Sequence, residues 1–218
     1  MRPSFHVIIR LGLGLLAPGL TAGPMAAQAT DTGTLLVRAR DRDVGTETFS
    51  VTTTAKGIKL TSHVVYNGPR PAPELTASLD RASGEEFAFQ LESRGAVSGR
   101  QTYAVQKRNR LTVRRVARGA DQATELPGGA TLIILADSVF APYLQAAALA
   151  TEAGSALTAV VLPEARRVVF TARRSPTATG SLIRLTGEVE AEIHLGTNGE
   201  LLSISVPSLG LEAVRAPN

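Results

Sequence analysis

The sequence predicts a mainly β chain: a curved antiparallel sheet, an open half-barrel of roughly 11–14 strands, carrying one central α-helix. Three observations lead there. Apolar residues recur at every second position through most of the chain, turn-forming clusters interrupt them at short intervals, and a single Ala/Leu-rich stretch breaks the rhythm. Alternation at period two turns one face of a strand to the core and the other to water, which antiparallel sheets allow.

The alternation opens at 34–40 and 46–54, where Phe49 and Val51 share a face, with Asp41-Arg42-Asp43-Val44-Gly45 turning between them. It runs on through 58–66, through 74–80 with Leu75, Ala77 and Leu79, and through 86–94 with Phe87, Phe89 and Leu91. Asn67-Gly68-Pro69 and Ala82-Ser83-Gly84 supply the turns. Residues 100–108 and 111–117 form the next pair, with Tyr103 and Val105 answering Leu111 and Val113 across Arg108-Asn109-Arg110. The stretch 119–129, with Pro127, Gly128 and Gly129, reads as the most irregular connection. Strands at 131–136, 156–162 and 167–174 carry consecutive apolar runs, Leu132-Ile133-Ile134-Leu135, Val160-Val161-Leu162 and Val168-Val169-Phe170, which predicts burial on both faces. Strands at 181–187, 190–195, 201–206 and 211–215 complete the set. Asn198-Gly199, between two apolar runs, predicts a hairpin closed by a type I′ turn.

The helical exception is 137–153, DSVFAPYLQAAALATEA, in which Val139, Phe140, Tyr143, Leu144, Ala147 and Leu149 fall on one face. Pro142 suits a first helical position, so a tight turn at 137–141, capped by Asp137, should lead into a helix at about 142–153 that Gly154 ends. A helix against the concave side of a curved sheet either fills it or leaves a ligand-binding cavity, lined by Phe87, Phe89, Phe140, Tyr143 and Leu144.

Residues 1–29 carry Arg2 and Arg10, an apolar run from Leu11 to Leu20 and Ala27-Gln28-Ala29, the pattern of a cleaved signal peptide. An N-terminal anchor is the competing reading, but the run is short and broken by Gly12, Gly14, Pro18 and Gly19, where spanning takes about 20 residues. The expected product is one domain, 30–218, periplasmic or secreted and not transmembrane after cleavage. Removing the peptide takes two of the 23 basic residues and no acid, which leaves 21 against 19.

The absence of cysteine excludes disulfides, thiolate zinc sites, iron–sulfur clusters and cysteine nucleophiles. No closely spaced ligand pair marks a metal site, and no glycine loop marks a nucleotide site, so neither metal nor cofactor is expected. Asp31-Thr32-Gly33-Thr34 spells the short signature of aspartic peptidases, but it occurs once and follows the predicted cleavage site, where a frayed terminus accounts for it. His63 and His194 are the histidines outside the leader, each alternating with strand residues, and no Gly-x-Ser-x-Gly elbow accompanies them. A hydrolase would have to assemble its site from His63 or His194 and distant residues.

Arg100, Lys107, Arg108, Arg110, Arg114, Arg115 and Arg118 make one basic stretch. A patch of Arg108, Arg110, Arg114 and Arg115 suits an anionic lipid or envelope surface. Alternatively it is a solvated face balanced by Glu74, Asp80, Glu85, Glu86 and Glu92 on preceding strands. Nucleic acid is not expected, because Tyr103 is the stretch's single aromatic.

With Asp-Ser-Val-Phe-Ala-Pro-Tyr-Leu after an apolar strand, and Gly-Thr-Asn-Gly-Glu-Leu-Leu-Ser-Ile-Ser-Val-Pro near the close, the layout resembles exported bacterial proteins of unknown function built on a curved half-barrel. These are similar in architecture to periplasmic lipoprotein carriers. The resemblance implies an open half-barrel able to hold an acyl chain. The leading expectation is therefore a non-catalytic exported protein that binds a lipid, a hydrophobic small molecule or an envelope partner. A hydrolase and a structural scaffold are the alternatives.

Overall fold

The computed structural model describes residues 29–217 except 41, 68–73, 83–85, 96–98 and 118–119, so the predicted signal peptide lies, apart from Ala29, outside the described residues. Among the described residues there are fifteen strands. They are β1 (Ala29–Ala39), β2 (Arg42–Thr54), β3 (Gly57–Tyr66), β4 (Glu74–Ala82), β5 (Phe87–Arg94), β6 (Arg100–Lys107), β7 (Arg110–Ala117), β8 (Ala120–Pro127), β9 (Leu132–Ala136), β10 (Ser155–Leu162), β11 (Arg166–Thr177), β12 (Gly180–Gly187), β13 (Ala191–Gly196), β14 (Leu201–Val206) and β15 (Leu211–Arg215). All belong to one curved open sheet, ordered β8-β7-β6-β5-β4-β3-β2-β1-β15-β14-β13-β12-β11-β10-β9. Neighbours are antiparallel throughout, except that β9 runs parallel to β10.

That order forces the curvature. The two edge strands, β8 and β9, are consecutive in the chain, and from Pro127 to Leu132 the backbone reaches at most ~18 Å. Fifteen strands laid flat at their usual spacing would set the edges ~67 Å apart. The sheet therefore curls, and its inward-facing residues, among them Leu35, Phe49, Leu60, Leu79 and Phe89, form the core.

A parallel pair needs a crossover, and here it lies in the concavity. After β9 come a 3-10 turn, Ala141–Tyr143, and a single α-helix, α1 (Leu144–Leu149). The helix is half the predicted length. Arg174 Nη2 donates to the Ala147 carbonyl at 2.6 Å and Ser155 Oγ to that of Leu149 at 2.7 Å, so side chains satisfy the last turn. Ala150 is already extended, Thr151 bridges to Arg173 of β11, and Gly154 turns the chain into β10 instead of capping the helix.

β9, an edge strand, is fully buried and would expose unpaired backbone groups to the core. Side chains complete it. The Gln145 amide donates to Ile134 O at 2.7 Å and accepts from Ile134 N at 3.4 Å, standing in for a missing strand. Arg81 of β4 donates to Leu132 O at 2.7 Å and Ala130 O at 2.9 Å.

Three further expectations change. The irregular connection at 119–129 contains β8, whose exposed, polar sequence shows no apolar alternation. The Asn198-Gly199 hairpin forms, but Gly199 (φ +80°) alone is left-handed there, and Gly199 N donates to Gly196 O at 3.0 Å, with Gly196 N on Glu200 O at 2.8 Å. This is a three-residue loop with a glycine bulge, where type I′ would need positive φ at Asn198 as well. The runs in β9 and β10 are buried on both faces as expected, whereas Val169 in β11 is 55% exposed, because no described element covers the outer face there.

Replacing Gln145 with Leu should lower unfolding free energy by ~2–4 kcal/mol, the cost of leaving buried backbone groups of β9 unpaired. Urea denaturation measures it.

Candidate functional site

A cavity of about 340 Å³ opens between the first strands and α1. Val51, Ile58 and Leu60 of β2 and β3 form one wall, Leu144 and Ala147 of the helix another, and Leu195 of β13 a third. Thr30, Asp31, Arg174 and Glu200 add polar groups.

Each charge there has a definite setting. Asp31 accepts from both terminal nitrogens of Arg215 at 2.9 Å and from Leu201 N at 2.8 Å, so its charge is matched. Gly33 permits this, since a Cβ there would stand 2.9 Å from Arg215 Nη2. Glu200 accepts from Asn198 N at 3.0 Å and stays in the hairpin loop. Arg174 donates to Ala147 O and, at 3.0 Å, to Ser181 Oγ, with no carboxylate partner among the described residues. It is the uncompensated cation of the cavity wall.

The helix that forms this wall is held from below by Glu47, fully buried on β2. Its carboxyl accepts from Phe140 N and Ala141 N, each at 2.8 Å, and from Ser62 Oγ at 2.6 Å. Glu47, not Asp137, therefore satisfies the amides that open the 3-10 turn. Burial pushes its carboxyl above the ordinary 4.5, outweighing the three donors, which pull the other way. Tyr66 adds a bond to Ser138 O at 2.6 Å, and burial pushes its phenol up to about 12.

The predicted ligand-lining residues divide. Leu144 lies on the cavity wall, while Phe87, Phe89, Phe140 and Tyr143 are packed into the filled core, none more than 7% exposed. Phe87 lies under the Arg81 guanidinium at 5.3 Å, and burial pushes the Tyr143 phenol up to about 12.

The four predicted patch arginines do not share a face. Arg110 and Arg114 lie outside, paired with Glu125 at 3.4 Å and Asp121 at 2.9 Å. Arg115 turns inward beside Gln122, and Arg108 (φ +55°) sits exposed in the β6–β7 turn. The balancing acids come from β8. Of the acids expected to do so, Glu74, Asp80 and Glu92 pair instead with His63, Lys59 and Arg94, Glu86 is exposed and forms no ion pair among the described residues, and Glu85 lies outside them.

His63 meets Glu74 Oε2 at 3.5 Å on the outer face of β3, and His194 is exposed on β13, five places along the sheet. The Asp-Thr-Gly-Thr segment is not frayed: Asp31 is paired in β1 and only 19% exposed at its side chain. Among the described residues no group of three or more His, Asp or Glu side chains could hold a metal ion, and no helix is long and apolar enough to cross a membrane.

Glu47, Arg81 and Arg174 went unnoticed in the sequence, although a signal existed for each, for Arg174 in Val168-x-Phe170-x-Ala172-x-Arg174. Gly45-x-Glu47-x-Phe49-x-Val51 and Ala77-x-Leu79-x-Arg81 each put a charge at an inward-facing position.

No family model matches the sequence, and no curated protein matches it. Among solved structures the chain is similar to a crystal structure of a beta-barrel-like protein of a domain of unknown function, DUF1849, from Brucella abortus. The two are 11% identical, with 87% of this chain and 94% of that chain covered and a TM-score of 0.47.

Because the Glu47 carboxyl titrates higher folded than unfolded, its contribution to stability is complete below about 4.5 and is lost as pH rises through the raised value. Unfolding free energy of the natural chain should therefore decline across that interval, and the decline attributable to this group should be missing in Glu47→Gln. Urea midpoints collected as a function of pH decide this.

Proposed function

We propose that this chain is an exported, non-catalytic binding protein whose cavity takes an apolar or amphiphilic small molecule. The observation that carries the reading is the cavity itself: apolar on three sides, at the lower end of the usual size range for ligand sites, and bordered by Arg174, which has no carboxylate partner among the described residues, with the Glu200 carboxylate held in the hairpin loop by Asn198 N. An amphiphile with an anionic head suits it, the tail against Val51, Leu60 and Leu195 and the head towards Arg174.

The proposed processing strengthens the fit. Cleavage after Ala29 would leave the ammonium of Thr30 on the cavity border, where the Thr30 hydroxyl lies 3.4 Å from that of Thr52. An α-amino group titrates near ~8, so it would be largely protonated at neutral pH and would act as a second cation. In this reading the mature protein is periplasmic or secreted, and export completes the binding site.

The test uses the full chain expressed in a bacterial host and recovered from the periplasm. Its mass should correspond to a chain starting at Thr30, and native mass spectrometry with organic extraction should reveal a bound amphiphile. Ala148 is exposed at the cavity mouth, so Ala148→Trp should obstruct entry without unfolding the protein. That variant should lose the extracted molecule, and should lose binding of the fluorescent amphiphile anilinonaphthalene sulfonate, at an unchanged melting temperature. Equal binding by the natural chain and the folded variant would refute the cavity as the site.

A further inference from the structure

A second opening lies elsewhere in the molecule, and its chemistry differs. A cleft of about 260 Å³ sits between the inner face of β6–β8 and the turn at Pro163 and Glu164. Arg100, Thr102, Arg115 and Gln122 line it. We propose that this cleft binds a phosphate group through Arg100 and Arg115. The proposal is independent of the amphiphile cavity.

Register assembles the site. Thr102 pairs with Arg115, Arg115 with Gln122, and Arg100 with Ala117. Thr102, Arg115 and Gln122 are thus directly opposite one another on three adjacent strands, and Arg100 is the diagonal neighbour of Arg115. Diagonal neighbours stand ~7–8 Å apart, a spacing from which two long guanidinium side chains can converge on one tetrahedral oxyanion.

Charge pairing on the two faces of the same strands is unequal. Outside, Arg110 and Arg114 are matched by Glu125 and Asp121. Inside, neither Arg100 nor Arg115 has a carboxylate within ion-pair distance among the described residues, and the Arg115 side chain donates only a long hydrogen bond, 3.5 Å, to Gln122 Oε1 there. Glu164 is the acid on the opposite wall, and it too forms no ion pair with them; burial raises the Asp137 carboxyl and the nearby Glu164 charge adds a smaller push in the same direction. Two unmatched guanidiniums suit a phosphate or phosphate monoester, which carries a charge approaching two at neutral pH, better than a singly charged carboxylate. The buried Thr102 hydroxyl and the Gln122 amide offer further donors. The group can arrive on a soluble molecule or on a lipid head.

The experiment titrates the full chain with inorganic phosphate by calorimetry at low ionic strength. In parallel it measures co-sedimentation with phosphatidylcholine vesicles with and without phosphatidic acid. Saturable binding of free phosphate assigns a soluble source, and binding only to phosphatidic acid vesicles assigns a lipid head. In either arm, Arg115→Gln and Arg100→Gln should each weaken binding by about tenfold or more, the worth of a charge-assisted hydrogen bond. Arg114→Gln, on the outer face, should bind as the natural chain does. Absence of saturable binding in both arms overturns the proposal, as does an equal loss in Arg114→Gln, which would mark diffuse attraction. Arg100 is exposed, so Arg100→Gln provides a folded variant if Arg115→Gln proves unstable.

Discussion

The constraint on which the structure depends is the short joint between its two edges. Residues 128–131 tie β8 to β9, the first and last members of a fifteen-stranded sheet, and thereby fix how far that sheet must curl. The joint is held closely. Gly128 N donates to Asn109 O at 2.8 Å, the Gln106 amide both donates to Gly129 O and accepts from Gly129 N, and Arg167 donates to Pro127 O at 2.8 Å. A Cβ at Gly128 would stand 2.9 Å from the Asn109 carbonyl carbon, so a side chain there would push the joint off the β6–β7 turn. Sequence separation is small at this point, and the curvature of the whole sheet follows from it.

A curled sheet has a hollow that must be filled, and the filling here is a crossover with irregular backbone. Irregular backbone inside a core leaves amides and carbonyls without ladder partners, at a cost of about 1–3 kcal/mol each when they stay unpaired. This explains why four polar side chains around the crossover do one job. Glu47 takes the amides of Phe140 and Ala141, Arg81 the carbonyls of Ala130 and Leu132, Gln145 both groups of Ile134, and Arg174 the end of the helix. Among the described residues Arg81 does this without a carboxylate partner, offset by two carbonyls and the face of Phe87. The position of the helical cavity wall is thus set by side chains from β2 and β11, Glu47 before the helix and Arg174 at its end, and Arg174 also lies on the cavity border.

The strands were legible because burial on one face writes itself into alternate residues, and Phe87-x-Phe89-x-Leu91 is read the same way in sequence and in space. β8 escaped because an edge strand exposed on both faces leaves no such mark: Ala120 to Leu126 is held by pairing with β7 and by Asp121 and Glu125 meeting Arg114 and Arg110. The helix was overestimated because Ala and Leu favour helix locally, while Arg174, Ser155 and the Thr151 bridge end it through contacts distant in sequence or formed only in the fold. At the site, aromatic residues were the natural choice for a lining, yet large rings are what a hollow of this size needs for filling, and Phe140 and Tyr143 serve there. The lining that remains is aliphatic. What no local pattern conveyed was pairing across the sheet, which matched Asp31 with Arg215 and left Arg115 without an acid among the described residues.

The two openings lie at opposite ends of the strands. The cavity is bordered by Val51, Thr53 and Ile58, next to the β2–β3 turn and beside Ala29. The cleft lies at the far end, where Arg100 faces Ala117 and Ala117 faces Ala120. Strands β3 to β7 alternate in direction without interruption, so the β2–β3, β4–β5 and β6–β7 turns share the first end and the cleft belongs to the other. Between them stand Val139, Phe140 and Ala141, each at most 1% exposed, anchored by the Glu47 carboxyl. This segment gives the openings a common element: the chain whose amides Glu47 binds continues directly into the helix lining the cavity, and at its other end leads back through Asp137 to Leu162, the residue before the cleft's Pro163.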